Sequence, residues 1–252
     1  MTYARGERFE IARVLWRMSG VIARNFPVFA VLALTLSGLP SLAAALFERG
    51  VLTPYGLEPI GPFGFAWIIG ILVSALLQAA LIHGTIADLN GRPASLGDCL
   101  ETAIRNVLPL IGIGIAVAVA TFVGLLLFVV PGIILALALC VSAPAQVVEG
   151  HGVFGAMGRS SDLTRNHRGA ILLLFVLFGV GFAVLRGLAE AVPLATAIAS
   201  PGAADVIRDL VVTPLLQALS ALVGAAGVAS IYFELRTIKE GVGIEALARA
   251  FE

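Results

Sequence analysis

Long apolar runs alternate with short polar segments and divide the chain into six candidate membrane spans. An α-helix needs about 20 consecutive apolar residues to cross a bilayer. The pattern predicts such helices over Phe26–Phe47, Phe63–Ala87, Val107–Val130, Pro131–Val148, Gly169–Leu185 and Leu210–Phe233. The third and fourth runs together exceed one crossing. We therefore expect Pro131-Gly132 to separate them in a tight helical turn, because proline lacks an N–H and glycine permits the turn.

Three segments next to these runs separate polar from apolar side chains when placed on a helix at about 100° per residue. They are Phe9–Asn25, Ser95–Asn106 and Val153–Asn166. This pattern is typical of helices that lie in the membrane interface, with the apolar face in the acyl boundary and the arginines toward headgroups. The predicted fold is an all-α polytopic membrane bundle. It has six transmembrane helices in three hairpins, each preceded by a cytoplasmic interfacial amphipathic helix.

A recurring signature suggests that the hairpins are diverged repeats. Each amphipathic segment ends in Arg-Asn, and the second span after it carries an acid near its polar end. We predict a single integral membrane domain over residues 1–252, with internal repeats at 9–90, 95–150 and 153–240. The alternative is that any hairpin used three times places arginine at its cytoplasmic ends. The dipeptides and acids are Arg24-Asn25, Arg105-Asn106, Arg165-Asn166, Asp88, Glu149 and Glu234.

The three acids are candidates for ion pairs. A carboxylate near hydrocarbon is costly unless it is paired or hydrated. We expect the arginine that ends each amphipathic helix to pair with the acid that ends the returning span of the same unit. The predicted pairs are Arg24–Asp88, Arg105–Glu149 and Arg165–Glu234. The alternative is that each group extends to water independently.

Composition and the position of charge agree with a membrane protein. Charged residues make up 13% of the chain, against about 25% in globular domains. Sixteen acids balance sixteen bases, so no basic excess points to nucleic acid. Most lysines and arginines lie in segments that six spans would place on one side. The positive-inside rule then predicts cytoplasmic termini.

Few residues could carry chemistry. Cys99, Cys140 and three histidines show no metal-ligand spacing, and neither a phosphate-binding loop nor a nucleophile elbow is present. We predict no catalytic residue, no cofactor and no metal, and therefore no enzyme. His83 lies near Asp88, where a proton-relay pair is a weaker alternative. Ser160 and Ser161 follow Arg159 without a convergent base and are expected on the helix surface.

One segment resembles a known family. The stretch "AMGRSSDLTRNH" is similar to the A-L-x-R-S-x-x-L-x-x-G signature of YciC-like bacterial inner-membrane proteins and of the membrane domain fused to some glycerophosphodiester phosphodiesterases. Ala156, Arg159, Ser160 and Leu163 match, and Met157 replaces the usual leucine. The start "ARVLWRMSGVIARNFPVF" and the close "YFELRTIKEG" also resemble uncharacterised single-domain members. The resemblance implies a helical membrane domain of about six spans; phosphodiesterase chemistry belongs to a separate domain in the fused proteins.

These observations lead to a functional prediction. We expect a non-catalytic protein that binds anionic lipid headgroups or organises the membrane or protein partners, since basic residues near a membrane surface attract anionic lipid at about 1 kcal/mol each. The alternatives are a channel or transporter for a small or amphiphilic solute and, less favoured, a lipid enzyme. Membrane lipids are the expected partners, nucleic acid is not, and homo-oligomers are compatible with the pattern. The predicted headgroup residues are Arg13, Arg17, Arg24, Arg105, Arg159, Arg165 and Arg168.

Overall fold

The computed structural model describes residues 9–48, 65–197 and 201–240. Within these ranges the regular structure is helical throughout. Six helices there are long and apolar enough to cross a membrane, so the prediction of an all-helical, membrane-embedded chain is confirmed at this level. They are Phe26–Leu46, Ile69–Leu89, Leu96–Leu127, Val129–Glu149, Arg168–Ala191 and Ala204–Glu240.

Several of these spans are composed of shorter helices. Two π-helical segments, Leu34–Gly38 and Arg208–Val212, interrupt the first and last spans. The α-helices are α1 (Ile11–Arg24), α2 (Phe26–Ala33), α3 (Leu39–Glu48), α4 (Phe65–Leu89), α5 (Leu96–Leu127), α6 (Val129–Leu139), α7 (Ser142–Glu149), α8 (Gly152–Thr164), α9 (Arg168–Ala197), α10 (Pro201–Ile207) and α11 (Thr213–Glu240).

Helix α11 lies at the centre of the described bundle. It packs against α1, α2, α3, α4, α7, α8 and α9. Small side chains make this close packing feasible, as expected where lipid supplies no hydrophobic drive between helices. Ala225, Ala226 and Ala229 are all buried on α11, and Tyr232 is the largest fully buried side chain of the described residues.

The second predicted interfacial helix is not a separate element, which corrects the sequence-based expectation. Helix α5 runs unbroken from Leu96 to Leu127, through Asn106. Asn106 and Asn25 each donate to the carbonyl four residues earlier, that of Thr102 and that of Val21. Asn25 ends α1, because its side chain is also held by groups outside the helix, Asp88 and the Ala94 N–H. Asn166 also ends a helix, with a left-handed φ of 73°.

The break between the third and fourth spans comes earlier than predicted. Phe128, with extended backbone (φ −161°, ψ 149°), separates α5 from α6, and Pro131 lies in the first turn of α6. That position suits proline because N–H groups of a first helical turn have no helical partner. The chain turns back there with two glycines facing each other. A Cβ on Gly124 would lie 2.9 Å from the Gly132 Cα.

The apolar face of α8 packs on protein more than the interfacial prediction assumed. Ala156 and Leu163 are fully buried where α8 contacts α5, α6 and α7. Phe154, from the same predicted face, is 83% exposed. Helix α8 is therefore a packed element of the bundle with a narrow exposed apolar edge.

Candidate functional site

The acids that end the returning spans gather with arginines at one end of the bundle. Glu234 on α11 is the most deeply buried of them, with a side chain that is 0% exposed. Arg13 Nη1 donates to its Oε1 at 2.9 Å, and Arg17 donates to its Oε2. The guanidinium of Arg17 also lies 5.3 Å from the centre of the Phe233 ring, in cation–π geometry. Helix α1 is thus fixed to α11 by two cations that share one buried carboxylate.

Glu149, at the end of α7, is held by α8, by α11 and by His151 in the connection between α7 and α8. Arg159 Nε on α8 donates to both carboxylate oxygens, at 3.1 and 2.9 Å. Tyr232 Oη on α11 donates to Oε1 at 2.6 Å, and His151 Nδ1 lies 3.3 Å from Oε2. Arg159 also pairs with Glu240, which in turn accepts a 2.8 Å hydrogen bond from Arg236. This network ties α7, α8 and the end of α11 together.

Asp88, at the end of α4, pairs with Arg24. The Arg24 Nη2–Asp88 Oδ2 distance is 2.5 Å, and the hydrogen bond raises the pKa of Arg24 above its ordinary value. Asn25 Nδ2 donates to Asp88 Oδ1 at 2.7 Å, and Asn25 Oδ1 accepts from the Ala94 N–H at 3.3 Å. The Arg-Asn dipeptide therefore joins the end of α1, the end of α4 and the segment before α5.

The structure contains the first of the three predicted ion pairs, whereas the other two pairings are wrong. Glu149 pairs with Arg159 and not with Arg105, and Arg105 pairs with Glu101 at 2.6 Å. Glu234 pairs with Arg13 and Arg17 and not with Arg165. The reason is helix packing: α8 packs on α7, the helix before it, and α1 packs on α11, the last helix of the described residues. Each acid therefore meets the helix beside it in space.

Ser160 lies in the core, which corrects its predicted place on the helix surface. It is fully buried, and its Oγ donates to the Ala138 carbonyl at 2.8 Å and accepts from the Val141 N–H at 3.2 Å. These backbone groups lie where α6 ends and α7 begins. The sequence signature thus consists of a serine that bridges a helix break, an arginine that holds Glu149, and the buried Ala156 and Leu163. No pattern in the sequence indicated that the backbone groups at the break between α6 and α7 need a side-chain partner.

A group of cations at the junction of α8 and α9 has a different environment. The α8–α9 basic cluster consists of Arg165, His167, Arg168 and Lys239. Burial, together with the positive charge of Lys239, lowers the pKa of His167. Lys239 also lies within electrostatic range of Arg165 and donates to the Asp162 carbonyl. Arg168 Nε is buried without a hydrogen-bond partner in the described structure.

The seven predicted headgroup arginines therefore fall into three groups. Arg13, Arg17, Arg24 and Arg159 face acids of the protein and are neutralised there. Arg105 is an exposed partner of Glu101. Arg165 and Arg168 belong to the basic cluster. The structure does not join His83 to Asp88 as the proton-relay alternative requires. Asp88 is bonded to Arg24 and Asn25, and His83 interacts electrostatically with Asp98.

A small cavity opens beside this polar end. It has a volume of about 20 Å³, which is enough for one water molecule. Its lining comes from the ends of α4 and α11: Ile86, Asn90, Tyr232, Phe233, Arg236 and Thr237. Within the described residues, no three histidines, cysteines or acids are grouped as a metal site would require.

Comparison with protein families, with curated proteins and with solved structures finds no match for this chain.

Proposed function

We propose that the protein is a non-catalytic integral membrane protein that binds anionic lipid headgroups at the α8–α9 basic cluster. The observation that carries the proposal is the contrast between this cluster and the other arginines. Ion pairs with Asp88, Glu149 and Glu234 neutralise four of those other arginines: Arg13, Arg17, Arg24 and Arg159. In the cluster, Lys239 instead lies within electrostatic range of the cations Arg165 and Arg159, and the carboxylate that acts on it is that of Asp162.

The local backbone adds to the attraction for an anion. Helix α9 begins at Arg168, and its first intrahelical bond runs from the Ile171 N–H to the His167 carbonyl. The His167 N–H itself donates to the Thr164 carbonyl, so the N–H groups that can bind an anion are those of Arg168, Gly169 and Ala170, and the helix dipole places partial positive charge at this end. Because the mutual repulsion of the cluster would be relieved by a phosphate, a lipid headgroup is its natural counter-charge.

The membrane arrangement that we infer places this cluster at the cytoplasmic surface. Three hairpins would put the ends of α1, α4, α7, α8 and α11 on one side, and the basic residues there favour the cytoplasmic side of a bacterial inner membrane. Two exposed aromatic side chains support an interfacial position for these helices: Trp16 on α1 (81% exposed) and Phe154 on α8 (83% exposed). The amphipathic indole of Trp16 favours the headgroup boundary, and a phenylalanine on the apolar face of an interfacial helix inserts among the acyl chains.

The test is lipid retention measured by native mass spectrometry in detergent, with phosphatidylglycerol and phosphatidylcholine added separately. We expect the wild-type protein to retain phosphatidylglycerol preferentially. The double variant Arg165→Gln/Arg168→Gln should bind it about 30-fold more weakly, which corresponds to about 1 kcal/mol for each base removed. The matched control is Arg186→Gln/Arg208→Gln, which removes two cations from the opposite end and should leave retention unchanged.

Two results would contradict the proposal. One is equal retention of the two lipids by the wild-type protein. The other is an equal loss in the control variant, which would mean that total charge and not the cluster attracts the lipid. If neither lipid is retained, solute flux in proteoliposomes above protein-free controls would instead favour the channel or transporter function.

A further inference from the structure

The turn between α5 and α6 has no polar residue to place in water. Residues 107–148 contain no charged side chain, and the turn itself is the single residue Phe128. The end of the bundle reached by α9, α10 and the π-helical segment after α10 is different, since it carries Arg186, Glu190, Asp205, Arg208 and Asp209. The tip of the α5–α6 turn (residues 125–130) is therefore chemically unlike the neighbouring ends.

The side chains of this tip are exposed in all directions. Phe128 is 74% exposed, and its neighbours before and after the turn are exposed as well: Leu125, Leu126, Leu127, Val129 and Val130. A protein docking site normally occupies one face of an element. Exposure of consecutive residues around a whole turn instead matches contact with a fluid apolar solvent, and lipid acyl chains are that solvent.

The backbone of the turn is adapted to low polarity. The Phe128 N–H donates to the Gly124 carbonyl at 3.0 Å, and the Phe128 carbonyl accepts from the Gly132 N–H at 3.3 Å. Pro131 has no N–H, so the first turn of α6 leaves only the N–H groups of Val129 and Val130 for outside partners. Fewer free donors lower the cost of leaving water. The facing glycines, Gly124 and Gly132, allow the close approach on which so short a turn depends.

Helix length limits how far the tip can reach. From Arg105 to Phe128, α5 rises about 35 Å at 1.5 Å per residue. The hydrocarbon core of a bilayer is about 30 Å thick. If Arg105 remains among the headgroups on its own side, Phe128 reaches the opposite acyl boundary and goes no further.

We propose that the α5–α6 turn ends inside the bilayer, at the far acyl boundary, with its tip surrounded by lipid acyl chains. This inference is independent of the headgroup site at the other end of the molecule. It makes the tip a lipid-contact surface on the far leaflet, unlike the charged end reached by α9 and α10.

The test measures the depth of a nitroxide spin label attached to single cysteines in phosphatidylcholine liposomes. The background carries Cys99→Ala and Cys140→Ala, and its thermal midpoint is compared with wild type to establish folding. Labels are placed at Phe128→Cys, at Ile115→Cys as an exposed mid-span reference, and at Arg92→Cys, in the connection between α4 and α5, as an aqueous reference. All three positions are exposed, so labelling should not disturb packing. Collision with oxygen, which concentrates in lipid, is compared with collision with a water-soluble nickel chelate.

We expect the oxygen-to-nickel ratio at Phe128 to lie below that at Ile115 and to exceed that at Arg92 several-fold. A ratio at Phe128 equal to that at Arg92 would place the tip in water and overturn the proposal. Low collision with both reagents, together with spin–spin broadening, would show the tip packed against a second copy of the chain and would also overturn it.

Discussion

Tyr232 on α11 donates a 2.6 Å hydrogen bond to Glu149 on α7, although the two residues are 83 positions apart in the sequence. Tyr232 is almost fully buried, so its hydroxyl has little access to water as a substitute partner. The bond connects the central helix to the network that holds α8, and it supplies the first prediction.

Tyr232→Phe should destabilise the protein by about 1.5–3 kcal/mol, the usual range for a hydrogen bond to a charged group. Glu149 keeps Arg159, so the fold should survive with a lower unfolding midpoint in detergent. Ser19→Ala is the control, because it removes an exposed hydroxyl that donates only to the Trp16 carbonyl of its own helix. Equal midpoints for Tyr232→Phe and wild type would show that the bond contributes nothing.

Glu234→Gln should loosen α1 from α11. The substitution keeps the shape but leaves Arg13 and Arg17 without the buried carboxylate that they share, and loss of one partner from a buried pair costs about 3 kcal/mol or more. Trypsin should then cleave after Arg17 faster than in wild type, as measured by mass spectrometry of timed digests. Glu10→Gln removes a partly exposed carboxylate from the same Arg13 and should leave the cleavage rate unchanged; equal acceleration in both variants would contradict the assignment.

Asp88 and Arg24 should be unequal in their effects on stability. Arg24→Ala removes a side chain that is 61% exposed, and exposed ion pairs contribute at most about 1 kcal/mol. Asp88→Ala removes the partner of Asn25 as well as that of Arg24, so its loss should be clearly larger. A double-mutant cycle of unfolding free energies would measure the coupling, with Glu101 and Arg105 as an exposed reference pair. Equal effects of the two single changes would contradict the shared role of Asp88.

Gly132→Ala should strain the α5–α6 turn. A Cβ there would lie 2.5 Å from the Leu125 side chain and 2.7 Å from the Leu125 backbone nitrogen, which cannot move without moving α5. Overpacking of this kind costs about 1–3 kcal/mol. Gly114→Ala on the same α5 meets no atom within 4 Å and should be neutral or slightly stabilising, because alanine favours the helix. The unfolding midpoints of the two variants provide the comparison, and a lower midpoint for Gly114→Ala would refute it.

Stability should fall in mild acid because of His167. Burial and Lys239 lower the pKa of His167 below its ordinary value of 6.5, so the folded state favours the neutral ring. The unfolded chain therefore binds more protons just below pH 6.5. The contribution of His167 is complete above that pH and is lost as the pH falls through the pKa of the folded state. His167→Gln should flatten this part of the pH profile of the unfolding midpoint.

The same histidine reports on lipid binding. Lys239 is the cation that acts on its ring, Arg165 and Arg168 flank it in the sequence, and the uncharged Phe9 ring lies 6.0 Å away. A phosphate bound to the cluster would offset the effect of these cations, so phosphatidylglycerol should raise the pKa of His167 relative to phosphatidylcholine. The C2 proton in an NMR titration measures it. An identical pKa in both lipids would mean that no anion binds beside the ring.

The positions of the spans followed from local properties of the sequence, since six runs of apolar residues have the length that a bilayer demands. The acids near the polar ends of the returning spans were also visible as candidates for pairing. The arginine partner was predicted for only one of these acids, Asp88, which pairs with Arg24. A pairing rule drawn from order along the chain failed for Glu149 and Glu234, because those acids meet residues of neighbouring helices that only packing brings near.

Local reasoning also misjudged residues whose role depends on backbone elsewhere. Ser160 looked like a surface residue because nothing in its own helix requires a hydroxyl, whereas the groups that it bonds belong to the break between α6 and α7. Asn25 and Asn106 follow arginine in the same way, yet only Asn25 ends a helix, since only Asn25 has Asp88 and Ala94 beside it. The sequence by itself determined which segments are helical and apolar enough to enter a membrane, because hydropathy and length act locally. Only the tertiary structure decided which arginines are neutralised and which remain as a basic cluster, because a charge is neutralised by whatever lies nearest in space.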